Sequence, residues 1–244
     1  MNEAVKILLR EVKDALHVDQ PFLEIAIRDE AVVVEGTYLL LAKLPAYQDR
    51  GPLAEHRIRI EIPANYPAIE PKVMMQDDSI PWRESFHCSS RGVCCITVFE
   101  TWAVSQNDPS IGAFLEGPLR NFFLSQLLRQ RGKDWPFDEW GHGVDGWIDA
   151  VAELIGCRPR KTEIRNVLER RRDDDPLDMA AGCPCGGRLS AKDCCGPALQ
   201  DFWTQVSAET AEGWLRRLVD LTPKLTPHEL QRRIHRNRPF RRVQ

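Results

Sequence analysis

Ile58 to Val73 reads IRIEIPANYPAIEPKV, and its two halves obey different rules. From Arg57 to Ile62 the residues alternate. Arg57, Arg59 and Glu61 fall on one face and Ile58, Ile60 and Ile62 on the other, the pattern of a half-buried antiparallel strand. The second half carries Pro63, Pro67 and Pro71, which cannot donate to a sheet ladder, so an extended connector is predicted before a short apolar strand, Val73 to Met75. Downstream, a Gly/Ser-rich loop from Ser89 to Gly92 leads into Val93–Phe99, which reads as a further strand. Upstream, Val5, Leu8, Leu9, Val12 and Leu16 share one face of a helix over residues 3–17. Residues 22–28 and 31–44 are strand-like, with Gly36 interrupting the second run, and residues 45–55 read as a loop.

Beyond Trp102, Asp108-Pro109 suggests an N-cap followed by proline at the first helical position. A helix to about Arg131 follows, kinked or divided at Gly117-Pro118. Another helix is expected over Val144–Ile155. Trp102, Trp135, Trp140 and Trp147 are read as core residues, and His142 between two glycines as a turn residue. At Arg158 the composition shifts to dense mixed charge. We read 158–180 as a solvated linker, helical in its first half through Ile164, Val167 and Leu168. The expected organisation is a domain over 1–157, this linker, and a small module over 181–244 with helical residues 198–222. Between Arg232 and Arg242 the tail has six arginines and no acidic residue, either a site for an acidic partner surface or, non-specifically, for nucleic acid, or a solvated end.

The chain has 244 residues, 43% hydrophobic and 28% charged, which fits a globular protein and excludes collagen-like or wholly disordered classes. With 33 basic against 36 acidic residues, a net charge of −3 gives no global argument for nucleic acid or an anionic membrane. No run approaches the length of a membrane-spanning helix, and the N-terminus is amphipathic with no signal-like core, so a soluble, cytoplasmic protein is expected.

Of the eight cysteines, four fall in Gly182–Pro197, GCPCGGRLSAKDCCGP. Cys183, Cys185, Cys194 and Cys195 form a C-x-C, eight-residue, C-C pattern. Thiolates are soft ligands suited to a closed tetrahedral structural zinc site, with Gly186 and Gly187 allowing a sharp fold and Lys192 offsetting the charge. The segment resembles the SEC-C zinc motif, whose four ligand positions these cysteines match. That resemblance implies a docking or stabilising module without chemistry of its own.

The order Tyr66-Pro67 to Pro71, Pro81, His87, Gly92-Val93-Cys94-Cys95-Ile96 and Trp102 resembles the ubiquitin-conjugating enzyme family. The resemblance covers residues 3–155 and implies an α+β fold: an N-terminal helix, an antiparallel meander sheet and C-terminal helices. It makes Cys95 the thioester-forming nucleophile, although counting back from Trp102 selects Cys94. It sets His87 at the opening of a flap, where the family's histidine-proline-asparagine motif is replaced by His87-Cys88-Ser89. Ser89, Asn107 and Asp108 are candidates to serve in place of the missing asparagine. The closest likeness is to bacterial conjugating-enzyme-like proteins, which implies an activating-enzyme-like partner, a ubiquitin-like modifier and a metal-dependent isopeptidase encoded nearby, often in antiviral operons. Two other readings stay open: a non-catalytic adaptor of the same fold that binds a ubiquitin-like protein, and a thiol redox protein using Cys94 and Cys95. At residue level, Cys95 also fits a buried strand cysteine and His87 a structural loop residue.

Overall fold

The computed structural model describes residues 3–16, 19–43, 51–136 and 143–220. Trp140, His142 and the arginine-rich tail lie outside them. The chain divides into two compact units, Met1–Leu154 and Ile155–Gln244. Among the described residues, no helix is long and apolar enough to cross a membrane.

The first unit is a mixed α+β structure. Helix α1 (Glu3–Leu16) buries Val5, Leu8, Val12 and Leu16, the stripe that its helical spacing defines. Four strands follow: β1 (Leu23–Arg28), β2 (Ala31–Leu40), β3 (Ala54–Pro63) and β4 (Lys72–Met75). They form an antiparallel sheet in sequence order, β1-β2-β3-β4. Register is set by the buried face: Val32 opposes Ile62, Val34 opposes Ile60, and Ile60 and Ile58 oppose Val73 and Met75. On the other face of β3, Arg59 pairs with Glu61 at 2.9 Å and with Glu35 at 3.5 Å. Gly36 meets a steric demand, because its φ is +140° and a Cβ there would lie 2.2 Å from the Phe22 carbonyl oxygen.

After Met75 the structure departs from the sequence reading in two ways and gives the break expected at Gly117-Pro118 its form. The expected strand over Val93–Phe99 shrinks to isolated pairings of Val93 with Met74 and Cys94 with Cys88. Its partners on both sides are short, so the ladder ends and the chain turns into α2 (Phe99–Ser105), which contains Trp102. The cap expected at Asp108 is Ser110, whose Oγ accepts from Ala113 N–H. The kink expected at Gly117-Pro118 is a π-helical turn over Leu115–Leu119, between α3 (Ile111–Phe114) and α4 (Arg120–Gln130). Proline lacks the N–H that a regular turn requires, and the wider turn absorbs that loss. Leu8, Val12, Val34, Ile60, Phe114, Leu119 and Phe123 meet in one core, with Trp102 and Trp135 half-buried against it. Helix α5 (Val144–Ile155) holds buried Trp147.

The second unit begins at Ile155, ahead of the expected boundary after Cys157. The stretch read as a linker is largely helix α6 (Lys161–Arg172), packed against α9 (Ala208–Asp220). Ile164, Val167 and Leu168 are fully buried on one stripe, and the charges that suggested a linker lie around the remainder of the helix. Between them come α7 (Ala191–Cys194) and α8 (Gly196–Gln205). The single helical pattern expected over 198–222 is broken at Val206-Ser207, where Ser207 Oγ accepts from Thr210 N–H at 3.0 Å and caps α9.

Candidate functional site

The polypeptide around Cys95 is held by four backbone bonds. Met75 N–H donates to the Gly92 carbonyl at 2.8 Å and Cys94 N–H to that of Val73 at 2.9 Å, which fastens residues 92–94 to β4. On the opposite side, Ser89 N–H donates to the Val93 carbonyl and Cys95 N–H to that of His87, both at 2.8 Å. Ser89 Oγ accepts from Arg91 N–H at 3.3 Å and from Val93 N–H at 3.1 Å, so this hydroxyl builds the turn. Gly92 closes it with φ +76°, where a Cβ would press to 3.1 Å on both the Met75 carbonyl and the Trp82 ring.

Successive side chains of an extended segment point to opposite faces. Cys94 therefore enters the core, and Cys95 stands exposed. A cleft of about 350 Å³ surrounds it, lined by Glu70, Lys72, Glu84, His87, Ser89, Cys88, Cys94, Thr97 and Phe99 among others. Although the residue is exposed, the cleft walls partly desolvate its sulfur and raise the Cys95 thiol above its ordinary range, and the Glu70 carboxylate adds to the effect. A neutral thiol is thus the resting form, and the nucleophilic thiolate forms when a proton is removed.

His87 follows a short 3-10 turn, Glu84–Phe86, with φ +50°. Its ring lies 4.8 Å from that of Trp135 and its carbonyl holds Cys95 N–H. Asn107 and Asp108 are exposed on the connection between α2 and α3 and are not among the residues lining the cleft. Next to them, Tyr66 O–H is shared between the carbonyls of Pro109 (2.7 Å) and Ser110 (3.0 Å), pinning the tyrosine-proline connector to the start of α3. Tyr66-Pro67 is a cis peptide. Sequence reasoning missed Glu70, which no motif singled out, and the pairing of Cys88 with Cys94. The turn Ser89-Ser90-Arg91-Gly92 between those two cysteines was the signal available for a hairpin.

In the second unit, Cys183, Cys185, Cys194 and Cys195 place their sulfur atoms within 4.8 Å of one another. Cys183 Sγ lies 3.3 Å from Cys195 Sγ, and Cys185 Sγ 3.5 Å from Cys194 Sγ. A tetrahedral zinc with sulfur at about 2.3 Å sets its ligands about 3.8 Å apart, so four thiolates fit such an ion with small adjustments. The scaffold is local. Cys183 N–H donates to the Leu189 carbonyl and Ala191 N–H to that of Ala181. Ser190 caps α7 through Asp193 N–H, delivering Cys194 and Cys195 from one side. Gly187 donates its N–H to Cys185 Sγ, and a Cβ there would lie 2.8 Å from Cys194 Sγ. Burial and the crowding of Cys183 and Cys185 push the Cys194 thiol up to about 11. These four residues can hold a metal ion.

No family model, curated protein or solved structure matches this chain.

Proposed function

We propose that the first unit is a ubiquitin-like-protein conjugating enzyme with Cys95 as its thioester-forming nucleophile, and that the second unit is a structural zinc module that docks it to partners. The observation that carries the reading is the exposure of Cys95 in a cleft, just beyond the isolated bridge at Cys94 and beside that buried cysteine. The element order supports it: an amphipathic helix, an antiparallel meander, a tyrosine-proline connector, a histidine-bearing flap, the cysteine, then helices. The family likeness drawn from the motifs adds the class of partners, an activating-enzyme-like protein and a ubiquitin-like modifier. It also extends to an isopeptidase encoded nearby, a bacterial antiviral setting and a cytoplasmic location.

The chemistry is modest. Cys95 loses its proton and attacks the carbonyl of a thioester on the activating partner, whose thiolate leaves. An acceptor amine then attacks the new thioester, gives up a proton, and Cys95 leaves as thiolate. A neutral resting thiol suits this sequence, since it limits stray alkylation and oxidation between encounters. His87 serves by position, through its carbonyl bond to Cys95 N–H. Asn107 and Asp108 act, on this reading, on an acceptor approaching from the α2–α3 connection. A zinc ion held by Cys183, Cys185, Cys194 and Cys195 would crosslink this segment, and four protein ligands would leave no place for a catalytic water.

The adaptor reading has one observation in its favour: among the described residues lining the cleft, none carries a side-chain amide to hold an oxyanion. Cys95→Ser, expressed in the source cell or in a host with the neighbouring genes, distinguishes the two. A base-labile, thiol-resistant adduct with a ubiquitin-like protein is the expected result. An adduct on Cys94→Ser in its place moves the nucleophile by one residue. If neither variant traps an adduct and the wild-type chain forms no thiol-sensitive one, the adaptor reading replaces the enzyme.

A further inference from the structure

Two of the three thiols that the conjugation and zinc readings leave idle, Cys88 and Cys94, stand in an arrangement of their own. Cys88 and Cys94 are directly opposed across an antiparallel bridge. The flanking bonds, Ser89 N–H to the Val93 carbonyl and Cys95 N–H to the His87 carbonyl, identify this as a non-hydrogen-bonded pair. In such pairs the Cα atoms approach to about 4.5 Å, and the two side chains project from the same face. A disulfide spans Cα separations of about 4.4–6.8 Å. Both residues are buried, Cys88 at 1% exposure and Cys94 at 8%, yet both line the wall of the Cys95 cleft, which gives a small reagent a way in. Each thiol lies 3.8 Å from a backbone carbonyl, Cys88 Sγ from that of Ser89 and Cys94 Sγ from that of Gly92, and the neighbouring Cys94 thiol lowers the Cys88 thiol from its ordinary range.

We propose that Cys88 and Cys94 form a reversible disulfide when the protein meets a hydroperoxide, covalently stapling the His87–Ser89 segment to the strand that carries Cys95. The Cys88 thiolate attacks one peroxide oxygen, the O–O bond breaks, and the departing hydroxide takes a proton to leave as water. Cys88 is then a sulfenic acid. The Cys94 sulfur attacks the Cys88 sulfur, the S–O bond breaks, and the second oxygen leaves as water with the Cys94 proton. Two thiols and one hydrogen peroxide give one disulfide and two waters, and two electrons pass from sulfur to oxygen. A small dithiol reverses the bond. Cys95 points to the other face and is not consumed. Cys94 and Cys95, the vicinal pair, do not join, since adjacent residues of an extended strand project in opposite directions. The inference stands whether or not Cys95 forms a thioester.

Tryptic mapping tests it on the full-length wild-type chain, because Arg83 and Arg91 place Cys88 on Glu84–Arg91 and the other two cysteines on the peptide beginning at Gly92. The protein is treated with hydrogen peroxide, blocked with N-ethylmaleimide in denaturant and digested. The expected product links these two peptides, carries one maleimide on Cys95, and disappears when dithiothreitol precedes blocking. Cys95→Ser retains the link and Cys94→Ser loses it. A link that fragments to Cys95, or Cys88 recovered fully alkylated while Cys95 is oxidised, overturns the proposal. The wild-type and Cys95→Ser digests decide the matter even if Cys94→Ser fails to fold.

Discussion

At Cys95 two effects act in one direction. Removal from water disfavours the thiolate, and the negative field of Glu70 disfavours it further. Replacing Glu70 with Gln removes the second effect and leaves the first. The thiolate fraction at pH 7.5 then rises, and the pH at which alkylation accelerates moves down. Iodoacetamide kinetics on Cys95, followed by peptide mass spectrometry from pH 6 to 10, is the measurement. An unchanged or upward-moved profile removes Glu70 as a determinant of this thiol. His87 is a different case. Its backbone carbonyl is already committed to Cys95 N–H, so its contribution begins with geometry whatever its ring does.

Strands were legible wherever one face is buried, because alternation then has only one register. Ile58, Ile60 and Ile62 illustrate this: each is fully buried, and the strand they define runs Ala54–Pro63. The pairing around Cys94 was not legible, because a two-residue ladder leaves no period to read. The break between α8 and α9 was hidden for another reason: Val206 continues the apolar pattern and is itself buried, while the cap that restarts the helix is a single serine. Gly36 was noticed as an interruption, and its reason is steric. Gly36→Ala forces a Cβ to 2.2 Å from the Phe22 carbonyl in a conformation that L-residues rarely adopt. It should cost at least about 2 kcal/mol, combining overlap with backbone strain. Gly132→Ala is the matched control, with φ +71° and nothing within 4 Å, so strain of about 1 kcal/mol is all it incurs. Urea denaturation followed by far-ultraviolet circular dichroism compares the two. Equal midpoints for both variants dismiss the clash.

Over the whole chain, the clearest chemical signal sits beside a segment that was read only in part. The cysteine spacing of the second unit was legible because four soft ligands in a short segment have few other uses. Its helix α6 was legible in part: Ile164, Val167 and Leu168 marked a helical first half, while Arg170-Arg171-Arg172 and Asp173-Asp174-Asp175 dominate the composition and hid that the helix is packed within the unit. The two features are tied together physically. Asn166 on α6 donates to the Cys185 carbonyl at 3.3 Å, and Arg171 on α6 donates to that of Val206 at 2.6 Å, just beyond α8. Cys195 follows α7 directly and leads into α8, whose Phe202 ring lies 6.3 Å from that of Trp214 of α9, tilted by 55°. A metal held by Cys183, Cys185, Cys194 and Cys195 therefore fixes the start of α8 and, through it, the packing of α6, α8 and α9. Four thiolates crowded without an ion repel, so removal of the metal leaves a cluster that must reprotonate or spread. The purified chain is expected to carry one equivalent of zinc by atomic emission. A strong chelator, or Cys185→Ser, is expected to strip it and to lower the melting of this unit by about 10 °C or more. Hydrogen exchange locates the effect: amides of α7, α8 and the Ala181–Ser190 loop lose protection, while those of β2 and β3 serve as the internal reference. Protein that holds no metal and melts identically with and without chelator would show that the four thiols stabilise this unit on their own, and the structural-zinc reading would fall.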